Sequence, residues 1–151
     1  MLVKLLPSQV GHYWDLLAPW IEAGLPPTTY GSDKRMTYIL KDLMSNDNIQ
    51  CWMITASPQV NGSSIMGVVI TRVVDGGPTL IKNLEIYCMY AFKPISEDLW
   101  KEGFETLRKF AKSKGCYRII AYSDNVRVID IVDKLGGSSN YRFITLEVDS
   151  D

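Results

Sequence analysis

The chain has 151 residues, 46% of them apolar and 22% charged, so one core can form and a disordered chain is excluded. Sixteen Lys and Arg face seventeen Asp and Glu, for a net charge of −1. No global field then favours nucleic acid or an anionic membrane.

Residues 2–6 read as a short strand closed by Pro7. Ser8 is a candidate N-cap for a helix running from about Gln9 to Gly24. Val10, Tyr13, Trp14, Leu17, Trp20 and Ile21 recur at helical spacing, and Pro19 is expected to kink or split the helix. Residues 28–32 are a loop, and Asp33 can cap a second helix with Met36, Ile39, Leu40, Leu43 and Met44 as its buried stripe. Asn46-Asp47-Asn48 is a turn.

Strands are expected at residues 49–56, 65–74 and 79–92. The first two are joined by a hairpin connection at 57–64, with Asn61-Gly62 as its turn signal. Residues 75–78, DGGP, form another turn. A helix at 97–114 buries Leu99, Trp100, Gly103/Phe104, Leu107 and Phe110/Ala111. Ser96 is its expected N-cap, and Ile95 can pack onto Trp100 as a hydrophobic staple. Gly115 ends it. A strand at 117–122, a helix at 125–135 stopped by Gly136-Gly137, and an alternating strand at 141–148 complete the chain. Disorder is expected only at the acidic tail, 149–151.

Cys51, Cys88 and Cys116 are odd in number and widely spaced, so free buried thiols are expected, with no disulfide and no metal site. That usage suits a reducing cytoplasm. The N-terminus lacks the pattern of a signal peptide, and no run of about 18 apolar residues offers a membrane span. His12, the only histidine, is expected to be structural. The four tryptophans fit core positions. Lys101, Arg108, Lys109, Lys112 and Lys114 lie among Glu102 and Glu105, as on a solvated helix face.

The order β-α-α-β-β-β-α-β-α-β, with a mixed, mainly antiparallel sheet flanked by helices, describes one α/β (α+β) domain over residues 1–151. That order resembles the GNAT superfamily of acyl-CoA-dependent N-acetyltransferases. Two local patterns carry the resemblance: LEIYCMYAFKP followed by a helix and KSKGCYRI, and Asn125 followed by VRVIDIVDKLGG. It implies an acyl-CoA cleft beside the central strand. Met89, Tyr90, Phe92, Ser96 and Asn125 would hold the acyl-CoA, and Glu85 and Tyr87 would serve catalysis. Glu85 could instead pair with Arg72 or Lys82. Residues 26–32 correspond by position to the family's acceptor loop.

Two departures set the functional expectation. The family's pyrophosphate turn carries glycines whose N–H groups approach phosphate at a helix N-terminus. Here ISEDLWKE fills that slot with no glycine and with Glu97 and Asp98. A carboxylate about 4 Å from a phosphate charge costs roughly 1 kcal/mol in water and about 4 near a protein surface. In addition, Val132 stands where the family often has a proton-donating tyrosine. WDLLAPWIEAGL, IQCWMITAS and IMGVVITRVV also resemble small GNAT-like proteins of tailed bacteriophages.

The expectation is therefore a catalytically degenerate GNAT-like protein, a virion-associated or assembly component acting through other phage structural proteins. It would need no cofactor, nucleic acid or membrane, and would sit in the host cytoplasm or the virion. The alternatives are a divergent N-acetyltransferase using acetyl-CoA, and a small-molecule sensor using the old cleft.

Overall fold

A computed structural model describes residues 1–58 and 64–148. The chain divides into two compact units, Met1–Ala121 and Tyr122–Asp151.

The first unit is built on a five-stranded sheet in the order β1-β2-β3-β4-β5. The strands are β1 (Leu2–Lys4), β2 (Ile49–Thr55), β3 (Ile65–Asp75), β4 (Lys82–Ala91) and β5 (Cys116–Ala121). The first four pair antiparallel and β5 joins β4 in parallel. The Asn61-Gly62 turn lies outside the described residues, although β2 and β3 do form the expected antiparallel pair.

Helices α1 (Pro7–His12), α2 (Trp14–Ala23) and α3 (Arg35–Ser45) cover one face. Val10, Leu17, Ile21, Ile39 and Leu43 meet Cys51, Met53, Val68, Ile70 and Cys88 there. Helix α4 (Glu97–Ser113) covers the other, where Leu107 and Ala111 meet Trp52, Ile54, Val69, Leu84 and Ile86. Alternate residues of each strand feed the two layers, as period-two strands require. Across the sheet a buried chain of hydrogen bonds runs from Trp52 Nε1–H to Thr71 Oγ1 (2.9 Å) and from the Thr71 hydroxyl to Gln50 Oε1 (2.8 Å). Gln50 Nε2 continues it to the Asp47 carbonyl (2.8 Å). The side chains of Trp52, Thr71 and Gln50 are thereby satisfied, whereas buried Asn83 Oδ1 and Trp100 Nε1 have no partner among the described residues.

Local chemistry explains most helix ends. Ser96 caps α4, its Oγ accepting the Leu99 N–H at 3.2 Å. Ile95 and Trp100 lie in one apolar cluster, as a staple requires. Glu97–Lys101 (3.3 Å) and Glu105–Arg108 (3.2 Å) pair along the solvated face. Gly115, at φ +72°, follows the last turn.

Three expectations are corrected. The first helix breaks at Tyr13 (φ −95°, ψ 10°) and not at Pro19, which sits inside α2. That proline removes only the bond to the carbonyl of exposed Asp15, so the helix continues. Ser8 is not the N-cap; Leu6 is, and Gln9 Oε1 reaches back to its N–H at 2.8 Å. Asp33 does not cap α3, whose N-cap is Lys34 without a side-chain bond.

The second unit contains α5 (Val126–Lys134). Asn125 Oδ1 accepts the N–H groups of Arg127 (3.0 Å) and Val128 (3.4 Å). At the other end the Gly137 N–H bonds the Val132 carbonyl and the Gly136 N–H bonds that of Asp133, a Schellman motif with Gly136 at φ +83°. The expected strand at 141–148 is absent: residues 138–148 carry no strand. Its alternation supplies an apolar face, but a strand also needs a ladder partner.

Two predictions arise from this packing. Gly103 lies inside α4, and a Cβ there would meet nothing within 4 Å. Gly103→Ala should raise stability by about 0.5–1 kcal/mol, read as a higher denaturation midpoint. Burial pushes the Cys51 and Cys88 thiols up to about 12. Cys116 is less enclosed; burial raises its pKa and Lys82 counters this. Alkylation of the native protein at mildly alkaline pH should therefore label Cys116 first, as peptide mass spectrometry would show.

Candidate functional site

The pairing of β4 is interrupted in two ways at one place. Ile70 pairs with Cys88 and Thr71 with Ile86, so Tyr87 is an extra residue, a β-bulge. Tyr87 and Cys88 consequently both pack toward the α1–α3 layer. On the other side, the parallel ladder with β5 ends at Ile86–Ala121. From Tyr87 to Ala91, β4 pairs with no strand on that side among the described residues. A strand edge of this kind presents N–H and C=O groups that a ligand can bond.

Glu85 lies two residues before the bulge and is 4% exposed. Arg72 Nε–H donates to its Oε2 at 2.8 Å. The same guanidinium lies over the Tyr87 ring, 4.7 Å from its centroid. One cation thus fixes both candidate catalytic side chains. Burial raises the pKa of the Tyr87 hydroxyl, and Arg72 pulls it the other way. The phenol is protonated at neutral pH and can donate a hydrogen bond.

The other candidate residues separate. Met89 lines a small apolar cavity of about 40 Å³ under α4, with Ile95, Trp100 and Gly103. Tyr90 packs on the opposite face. Phe92 follows the strand end, its ring 4.6 Å from that of Trp20. Ser96 spends its Oγ on the α4 cap. Asn125 belongs to the second unit, where its side chain caps α5. Val132 serves that unit's Schellman motif. His12 is exposed beside Tyr13. In the 26–32 segment a short 3-10 turn, Pro27–Thr29, leads to Tyr30, which is exposed.

Sequence reasoning missed three features. Gly24, at the end of α2, lies so close to β4 that a Cβ would stand 2.8 Å from the Met89 carbonyl oxygen. Gly67 touches the next stretch of the same strand, at Tyr90 and Ala91. A cavity of about 280 Å³ lies beside Arg72 and Tyr87, walled also by Asp42, Asn46 and Asn48. These are contacts between distant segments, and only Asn46-Asp47-Asn48 left a local signal, that of a turn.

No protein-family model and no curated protein matches the sequence. Solved structures do match. A predicted acetyltransferase from Clostridium acetobutylicum, solved with acetyl-CoA, is 16% identical with TM-score 0.69, over 97% of this chain and 95% of that one. A probable acetyltransferase gives TM-score 0.68 at 10% identity, over 100% and 99%. An acetyltransferase from Trypanosoma brucei is 21% identical with TM-score 0.63, over 98% and 99%. The fold is that of the GNAT acetyltransferases.

These matches overturn the expectation of a non-enzymatic phage structural protein. They run the length of the chain and are to acetyltransferases, and nothing among them links it to tailed phages. The missing glycine turn was a local signal, and it carried less than the pairing pattern around β4. Among the described residues no helix is long and apolar enough to cross a membrane.

Proposed function

We propose that the chain is a divergent acyl-CoA-dependent N-acetyltransferase. One observation carries this reading: the β4–β5 ladder ends at Ile86–Ala121, beside the bulge at Tyr87 and the Glu85–Arg72 pair. The stretch of β4 beyond that ladder is an extended backbone that suits the amide-containing pantetheine arm of acyl-CoA. The edge leads toward the α4 N-terminus, and the first N–H groups of a helix have no acceptor within it. Lys101 pairs with Glu97, which offsets one of the two acids that oppose a phosphate there.

An acyl-CoA bound along this edge would supply an activated thioester, whose carbon–sulfur bond breaks as the carbon–nitrogen bond of the product amide forms. The protein's residues supply the proton handling. Glu85 accepts a proton from the amine, directly or through one water. Arg72 holds that carboxylate in one orientation. The Tyr87 phenol donates a hydrogen bond beside the point where the β4–β5 ladder ends.

A thiol-release assay tests this reading. Acetyl-CoA with a panel of primary amines should give amine-dependent free thiol. Release that is absent across the panel, or independent of amine, would contradict it.

A further inference from the structure

The 280 Å³ cavity beside Tyr87 points to the class of amine accepted, an inference that rests on the acetyltransferase reading. It opens on the α1–α3 side of the sheet, and Tyr87 belongs both to its wall and to the first position at which β4 lacks a strand partner. An amine held in it would meet an acyl group at the bulge.

The wall has a definite charge pattern. Arg72 is on the wall, and its charge is offset by Glu85, which does not line the cavity, at 2.8 Å. Asp42, at the third turn of α3, has no hydrogen bond or ion pair from its carboxylate among the described residues, so it sets the sign of the cavity. The remaining polar groups are neutral. Asn46 Oδ1 already accepts the Asn48 N–H at 2.9 Å, which leaves its amide nitrogen to donate. Asn48 contributes a second amide, held in place by the bond from Val73 N–H to its carbonyl at 2.7 Å. The Tyr87 phenol can donate as well as accept.

The volume is near the lower end of small-molecule sites, about 300–1,000 Å³, which suits a single ring and not a chain of rings. We infer that the acceptor is a small monocationic amine carrying neutral hydroxyl groups, its ammonium drawn in by Asp42 and its hydroxyls bonded by Asn46, Asn48 and Tyr87. A phosphorylated or carboxylated amine would bring a second anion toward Asp42 and Glu85. In the transfer the bound ammonium gives up one proton before attack and the amine a second as the amide forms. The leaving thiolate takes one proton and solvent the other.

Direct binding in the absence of acetyl-CoA tests this without relying on turnover. Glucosamine, glucosamine 6-phosphate and N-acetylglucosamine would be titrated into the isotope-labelled protein and followed by NMR. Glucosamine should bind and shift the side-chain amides of Asn46 and Asn48. The phosphate and the neutral N-acetyl form should bind about tenfold more weakly. Asp42→Asn, an exposed substitution expected to fold, should weaken glucosamine about tenfold and erase the preference over the neutral form. No glucosamine binding, equal binding of all three compounds, or no effect of Asp42→Asn would overturn the inference. Acetyl-CoA binding in the same protein is a separate readout. If it persists while glucosamine fails, the acceptor class is wrong and the acetyltransferase reading stands.

Discussion

Glu85→Gln should lower kcat for amine acetylation by about 10²–10⁴-fold, the usual contribution of a positioned general base. The substitution keeps the shape of the side chain, and its amide oxygen can still accept from Arg72, which now donates at 2.8 Å. The fold should therefore persist. KM for acetyl-CoA should change little, because Glu85 precedes the stretch of β4 that lies beyond its ladder with β5. A variant with unchanged kcat would place the base elsewhere. Arg72→Met serves as a companion. It leaves a carboxylate that is 4% exposed without its cation, which is costly in a protein interior. Solvent reaches the half-exposed Arg72 side of the pair, so the loss should be about 1–3 kcal/mol.

Gly67→Ala should produce the largest loss of stability, about 3 kcal/mol or more, at the upper end for overpacking. A Cβ at Gly67 would overlap the Tyr90 carbonyl oxygen and stand 2.9 Å from the Ala91 Cα. Both obstacles are backbone, so no side chain can turn away, and β3 must move from β4. Gly67 pairs with Ala91, at the end of the free stretch of β4. Denaturant unfolding should show a lower midpoint. Where the variant stays folded, its affinity for acetyl-CoA should fall as well. Gly103→Ala, in the same unit but with open space around its Cβ, is the control. A Gly67→Ala protein as stable as the parent would show that β3 and β4 tolerate a wider spacing here.

How much of this was legible in the sequence depended on distance along the chain. The cap at Ser96, the Ile95–Trp100 staple and the buried stripe of α4 are decided within a few residues, and all were readable. The bulge at Tyr87 and the end of the β4–β5 ladder depend on register between separate strands, Ile70 with Cys88 and Ile86 with Ala121, and no local pattern encodes them. The cavity gathers Asp42, Asn48, Arg72 and Tyr87 from α3, a turn and two strands. Tyr87 was a catalytic candidate and Arg72 a possible partner of Glu85, but nothing in the sequence placed Asp42 and Asn48 beside them. The segment 141–148 failed in the opposite sense, because a local alternation was read as a strand without a partner to pair with. The functional expectation failed for a related reason. A glycine-free turn was given more weight than a topology that the sequence shows only in outline.

The central claim is that the edge of β4 beyond its ladder with β5 holds an acyl-CoA, and calorimetric titration of the full chain with acetyl-CoA measures this most directly. The prediction is saturable binding of one equivalent with a micromolar Kd. Absence of heat and of any thermal shift at millimolar acetyl-CoA would contradict it.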